Sequence, residues 1–402
     1  MKQVVLITDR FPYSSGEEFI EPELLYFGSI KYIISKTNQD TTKRELPKGI
    51  KHYNLPKTPR SLAFIFALTR LEFWTELIEL IKTKRMNKSV FSQLYNFVGR
   101  PIMDVRAITN YLMNEGVKKT DNLVFYSYWC LTQAYRAVLL KKSFMNATAV
   151  SRTHGGDLFE DRRKNHYLPL RRYIFNHLDA LYPCSLYGVH YIQKQYKYQP
   201  KILAVKRLGT NDYGYKIINN ERNFRIISCS DIIPLKRVKL IVLALSMLSF
   251  TYEWFHFGDG VLRGEVESLA SQKNVNYNFK GMVLHDELIT WYRTNDCHLF
   301  INVSESEGVP VSIMEALSFA IPVIASDVGG SGEIVKNGYN GLLLEKDFVP
   351  EQLAEMITMF YHMEEKEYRV YQQAARDIWD KYCAAHKVYP AYEREVLSLE
   401  RT

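Results

Sequence analysis

Residues 301–344 read INVSESEGVPVSIMEALSFAIPVIASDVGGSGEIVKNGYNGLLL. An apolar run ends near Val303, and a polar turn follows that holds Glu305, Glu307 and Gly308. Pro310 then precedes a helical pattern containing Glu315, and two further short apolar runs, Pro322–Ala325 and Gly341–Leu344, close the segment. Short strands alternating with amphipathic helices build a parallel sheet covered on both faces.

The same alternation extends outward in both directions. Candidate strands are Val4–Ile7, Leu123–Tyr126, Ala149–Ser151, Ala180–Tyr182, Arg225–Ser228, Glu253–Phe257 and Cys297–Ile301, with helical stretches such as Leu235–Leu248 and Val261–Ala270. The 402 residues exceed what one hydrophobic core usually serves. The expectation is an α/β chain of two doubly wound, Rossmann-like domains, with ligands at the C-terminal ends of the strands. The boundary is placed in Gly209–Arg222, rich in Gly, Asn and charge. The domains are then 1–208 and 209–384, and 385–402 is expected to be a helix packing back on the first domain.

Composition narrows the function classes. With 47% hydrophobic and 24% charged residues, the chain is an ordinary globular sequence. Its apolar runs are too short for a bilayer crossing, and Met1–Asp9 reads as a strand rather than a leader. The five cysteines are scattered without a CxxC pair, as suits reduced thiols in a cytoplasmic protein, and no metal site is expected on them. Charge is uneven: residues 1–205 hold 31 Lys and Arg against 17 Asp and Glu, the remainder 21 against 27. A basic first half suits an anionic partner such as a membrane surface or a diphosphate-bearing lipid, or serves solubility alone. Nucleic acid is the weakest reading, since no binding module is recognisable. Residues 59–97 place aromatic and aliphatic side chains beside a Lys/Arg cluster ending at Lys88. That pattern fits a helix lying on a membrane and equally a helix capping the edge of the first domain.

Glu307 and Glu315 stand eight apart, one on a loop and one inside the following helix. A helix start offers free N–H groups and a positive dipole end for a diphosphate. A loop carboxylate can accept hydrogen bonds from sugar hydroxyls, and one on the helix can do so for a ribose. Such spacing is also common on solvated helices.

The surrounding string SESEGVPVSIMEALSFAIPVIASDVGG closely resembles the E-x7-E region of glycosyltransferase family 4, retaining enzymes of the GT-B fold. The resemblance extends to SCSDIIPLKRVKLIVLAL, WFHFGDG and NFKGMV in the second half, and to FPYSSGEEFIEPEL and SRTHGGDLFEDR in the first. It implies two Rossmann-like domains facing across a cleft and a hexose-type sugar moved from a nucleotide-sugar donor, commonly a uridine diphosphate. The implied acceptor is a glycan or lipid-linked glycan, as in assembly of a bacterial surface polysaccharide at the inner face of the plasma membrane. No cofactor or metal is implied: there is no DxD motif, and the nucleotide sugar is a substrate.

Carried over by position, the resemblance gives His154 the reacting sugar, Lys236 the donor diphosphate and Glu307 the sugar hydroxyls. Gly308, Val309 and Pro310 border the donor, Glu315 takes the ribose, and Gly16 lies close to the phosphates. Read alone, His154 is as well a structural histidine, Gly16 a turn, Glu17 and Glu18 first-turn helix charges, and Gly258–Asp259–Gly260 a plain turn. One position departs from the pattern. Many members carry arginine five residues before the lysine, where this chain has Asp231, so Arg237 is expected to supply the second positive charge. The rival readings are a nucleotide-sugar epimerase or phosphorylase of the same fold, and a binding subunit without turnover.

Overall fold

The computed structural model describes residues 2–13, 17–36, 43–163, 165–215, 217–218 and 223–401. The chain divides into two compact units, residues 1–206 with 389–402, and residues 207–388.

The first unit is built on seven strands: β1 (Gln3–Ile7), β2 (Ile30–Ser35), β3 (Lys51–Asn54), β4 (Asn122–Ser127), β5 (Asn146–Thr153), β6 (Ala180–Pro183) and β7 (Ile202–Leu203). They lie in the order β3-β2-β1-β4-β5-β6-β7, every pairing parallel. The central strands are continuous apolar runs. Val4–Ile7 and Leu123–Tyr126 are fully buried, as a sheet covered on both faces requires.

The last helix, Ala385–Ser398, starts in the second unit and ends in the first. Its Tyr392 is buried against the rings of Phe27, Tyr126 and Tyr182. The Arg152 guanidinium stands 4.3 Å over the same ring. Arg152 also donates to Tyr126 Oη (2.7 Å) and the Lys206 carbonyl (2.6 Å) and faces Glu23 at 3.4 Å. A buried charge is tolerable only when satisfied in this way, so the C-terminal segment completes the core that carries the β5 loop.

The second unit has six parallel strands: β8 (Phe224–Cys229), β9 (Tyr252–Phe257), β10 (Tyr277–Gly281), β11 (Leu299–Asn302), β12 (Val323–Ser326) and β13 (Gly341–Leu344). Their order is β10-β9-β8-β11-β12-β13. In both units the chain starts near the middle of the sheet, winds outward, then returns to the other side. The reversals fall between β1 and β4 and between β8 and β11, where diverging loops open a crevice at the strand ends. The order thus decides where ligand chemistry can be placed.

Candidate active site

In the second unit, the loops after β8 and β11 meet at the reversal point. Lys236 ends a short turn, Pro234–Lys236, and Glu307 lies on the loop after β11. Lys236 Nζ donates to Glu307 Oε1 at 2.6 Å, and both side chains are largely buried. Asn302, the last residue of β11, brings its Nδ2 to 3.5 Å from the same oxygen and accepts from the Ser304 N–H at 3.2 Å.

Arg237 does not join this pair. Its guanidinium donates to the carbonyls of Val303 (2.7 Å), Lys346 (2.7 Å) and Ser304 (3.2 Å), and packs 5.1 Å from the Phe348 ring. Its backbone is left-handed, φ 50°, a conformation costly for a residue with a Cβ. Arg237, expected to supply the second positive charge at the diphosphate, thus spends its donors on backbone carbonyls here. Its donors clasp the β8 loop to the β11 loop, and that clasp holds the neighbouring Lys236 beside Glu307. Asp231 is exposed.

The far side of the Glu307 loop is backed by glycine. Gly330 N–H donates to the Gly308 carbonyl at 2.6 Å. Gly329 adopts φ 58°, and a Cβ there would lie 1.9 Å from the Glu307 carbonyl oxygen. Val309 is buried, and Pro310 caps the helix Val311–Ser318, its fixed φ suited to a helix start.

Glu315 lies one turn into that helix and is buried. Its Oε1 is 2.7 Å from Nε2 of His285, the first residue of the helix His285–Thr294. Sequence reading does not find His285; the only signal is a histidine just after NFKGMV. The Cys229 thiol at the end of β8 senses both groups: burial and then Glu315 push it up to about 12, against Lys236. Gly258 also has a structural demand, with φ 132° and a would-be Cβ 2.0 Å from the Ser230 carbonyl oxygen. The Gly258–Gly260 turn is thus laid directly on the loop after β8.

In the first unit, His154 follows β5 and is buried among Trp129 (4.7 Å between centroids), Tyr128 (5.1 Å) and Phe19 (6.1 Å). Neither ring nitrogen has a hydrogen-bond partner. Burial, then the nearby Arg152, lowers its pKa to about 3, so the imidazole is neutral at ordinary pH. Gly16 lies outside the described residues. Glu17 is more than a first-turn charge: its carboxylate accepts from the N–H groups of Asp9, Arg10 and Phe11 and from Trp129 Nε1. It ties the loop after β1 to the loop after β4. Beside it lies a cavity of about 420 Å³, lined by Asp9, Arg10, Trp129, Gln133 and Arg163 among others. The Arg163 Nε, buried, has no partner.

Among the described residues, no group of three or more His, Cys, Asp or Glu is arranged to hold a metal ion. None of their helices is long and apolar enough to cross a membrane.

The two parallel sheets and their reversal points are those of the GT-B fold. Residues 215–377 match the family described as glycosyl transferases group 1, and these residues contain Lys236, Glu307 and Glu315. Fold and family match together support a GT-B glycosyltransferase. The chain is 26% identical over 263 residues to an uncharacterized glycosyltransferase of Methanocaldococcus jannaschii, covering 64% of this chain and 71% of that protein. It is 28% identical over 193 residues to the O-antigen biosynthesis glycosyltransferase WbnH of Escherichia coli, 47% of this chain and 52% of that one. The chain thus matches only about half the length of the second relative. Among solved structures, Anabaena Alr3699/HepE in complex with UDP and glucose superposes over 99% of this chain and all of that one, with a TM-score of 0.68 and 14% identity.

Proposed function

We propose that the chain is a retaining glycosyltransferase that moves a hexose from a uridine-diphosphate sugar to a glycan or lipid-linked acceptor in assembly of a bacterial surface polysaccharide. The observation that carries the reading is the Lys236–Glu307 pair at the β8/β11 reversal, next to the start of Val311–Ser318. A cation there can take the diphosphate, whose charge grows as the sugar–oxygen bond breaks, and the helix dipole adds to it. Lys236 and this helix start are assigned the charge that a divalent ion carries in other transferases. Glu307 then exchanges the lysine for hydroxyls of the donor sugar, while Glu315, oriented by His285, takes the ribose. With Arg237 committed to backbone carbonyls, Lys236 is the main cation of the diphosphate site.

Retention follows if the acceptor hydroxyl attacks on the face the diphosphate leaves, passing its proton to the departing phosphate oxygen. No side-chain nucleophile is needed. His154, neutral and with both ring nitrogens buried and without a hydrogen-bond partner, is assigned a hydrogen bond to the transferred sugar. The uridine base is supported by the UDP bound to Alr3699/HepE, and the polysaccharide by the O-antigen role in the name of WbnH.

The test is a binding and hydrolysis screen of nucleotide sugars with and without a divalent cation, beside Glu307→Ala and Lys236→Ala. Turnover of one donor, lost in both variants and indifferent to chelator, supports the reading. Folded protein that engages no donor would point to a binding subunit without turnover, with Asp231 as the position to revert to arginine.

A further inference from the structure

Two consecutive helices of the first unit, Arg60–Leu68 and Leu71–Lys82, each bury one face and leave the other bare. The first buries Ala63 and Ala67. It lies so close to the long helix Lys88–Asn114 that a Cβ on Gly99 would stand 1.7 Å from the Ala63 carbonyl oxygen. The second buries Phe73 and Leu80. Both helices therefore cap the edge of the unit, but this burial takes in only four of their fourteen apolar side chains.

On the second helix the opposite face carries Leu71, Trp74, Ile78 and Ile81, exposed by 79, 43, 50 and 58%. The spacing of three, four and three residues makes one continuous stripe. Leu62 and Ile65 extend exposed apolar surface onto the first helix. Single exposed leucines need no explanation, but a run of six large apolar side chains in water marks a binding surface.

Charge identifies the occupant. Lys57 and Arg60, before the first helix and at its start, and Lys82, Lys84 and Lys88, at the end of the second and just beyond it, are all exposed. Two of the three acids on the second helix are turned toward the protein. Glu72 accepts from Tyr135 Oη (2.6 Å) and Arg70, and Glu76 from Tyr167 Oη (2.9 Å) and the Leu170 N–H (3.2 Å). Glu79 alone of the three remains exposed. We infer that the hairpin Arg60–Lys82 is a docking surface for an anionic lipid bilayer, its apolar stripe entering the interface and its lysines meeting lipid headgroups. A second copy of this chain would bring a like set of cations against the first, whereas an anionic surface neutralises them. Trp74 suits the headgroup boundary, where an aromatic ring has one side apolar and one wet. The inference does not depend on the transferase reading, and neither fails with the other.

Full-length protein is floated with vesicles of phosphatidylglycerol and phosphatidylcholine, or of phosphatidylcholine alone, at low salt. The expected result is binding to the anionic vesicles only. Leu71→Ser/Ile78→Ser and Lys82→Glu/Lys84→Glu should each lower the bound fraction at least tenfold, at unchanged melting temperature and donor binding. Trp74→Phe should remove most of the fluorescence quenching given by brominated phosphatidylglycerol. The inference is overturned if the wild type stays with the soluble fraction, or if both double variants float as it does. It is also overturned if the wild type is a dimer that Leu71→Ser/Ile78→Ser dissociates, because the stripe is then covered by another copy.

Discussion

Lys236 Nζ and Glu307 Oε1 are 2.6 Å apart although 71 positions separate the residues in the chain. Each is the other's charge partner, so a donor that engages either must compete with the pair. Glu307→Gln weakens that competition for Lys236 and leaves the diphosphate site intact. Calorimetry should find UDP bound by Glu307→Gln at least as tightly as by the wild type, with affinity for the UDP-sugar reduced. Lys236→Met should weaken both ligands and lower turnover about 100-fold or more, the scale of losing one electrostatic stabiliser. Equal losses of UDP and UDP-sugar in Glu307→Gln would place Glu307 away from the sugar.

The 2.7 Å contact between His285 and Glu315 gives a second, separable prediction. A hydrogen bond to a charged group contributes about 1.5–3 kcal/mol, so His285→Ala should raise the Kd for UDP about tenfold or more. Because the histidine acts through Glu315, kcat at saturating donor should hold. The penalty for replacing UDP with its 2′-deoxy analogue should shrink in His285→Ala, since a misdirected carboxylate no longer reads that hydroxyl. Wild-type affinity in His285→Ala would make the contact purely structural.

These two contacts also show what a single sequence can disclose. The central strands are legible because burial on both faces demands apolar runs such as Val4–Ile7 and Leu123–Tyr126. The edge strands β3 and β10 are not, because Lys51–Asn54 fully buries no side chain, Tyr277–Gly281 exposes alternate ones, and both read as polar segments. Lys236, Glu307 and Glu315 emerge from motif resemblance, since no local pattern links residues so far apart. The contacts of Arg237 are hidden for the same reason: its three carbonyl partners lie on loops whose approach depends on the whole sheet order. Glu17 resembles a helix-start charge until the loop after β4 brings Trp129 to it.

Glycine at 329 carries a prediction about the frame rather than the charges. Its left-handed φ of 58° and the 1.9 Å clash of a Cβ with the Glu307 carbonyl oxygen leave alanine no place. Gly329→Ala should cost about 2 kcal/mol or more of stability and move the Glu307 loop, so UDP-sugar affinity falls with the melting temperature. Gly264 is the control. It lies in the helix Arg263–Gln272, exposed, with nothing within 4 Å of its would-be Cβ. Gly264→Ala should raise stability by about 0.5 kcal/mol, because glycine is a poor helix former. A harmless Gly329→Ala would mean that the Glu307 loop is free to shift.

His256 and His154 are buried as neutral rings, and the consequence for pH can be worked out with its sign. Trp254 Nε1 donates to Ser228 Oγ at 2.9 Å, leaving the serine hydroxyl to donate to His256 Nδ1 at 2.8 Å. His256 Nε2 then donates to the Ser230 carbonyl at 3.1 Å. Burial lowers the His256 pKa to about 4, below the ordinary 6.5. The unfolded chain therefore takes up a proton near pH 6.5 that the folded chain refuses until about 4. Stability is fully present above pH 6.5 and is lost as pH falls toward 4, by roughly 3 kcal/mol at most from this group. His154 acts in the same direction. In its own unit, however, Asp157 opposes it, because burial raises that carboxyl to about 6 and the folded state gains its proton first. In [13C]histidine-labelled protein, the His154 and His256 signals, assigned with His154→Asn and His256→Gln, should stay at neutral-ring shifts down to about pH 5. A midpoint near 6.5 for either ring would mean that it meets solvent, and for His154 would remove the neutral hydrogen-bonding role proposed for it.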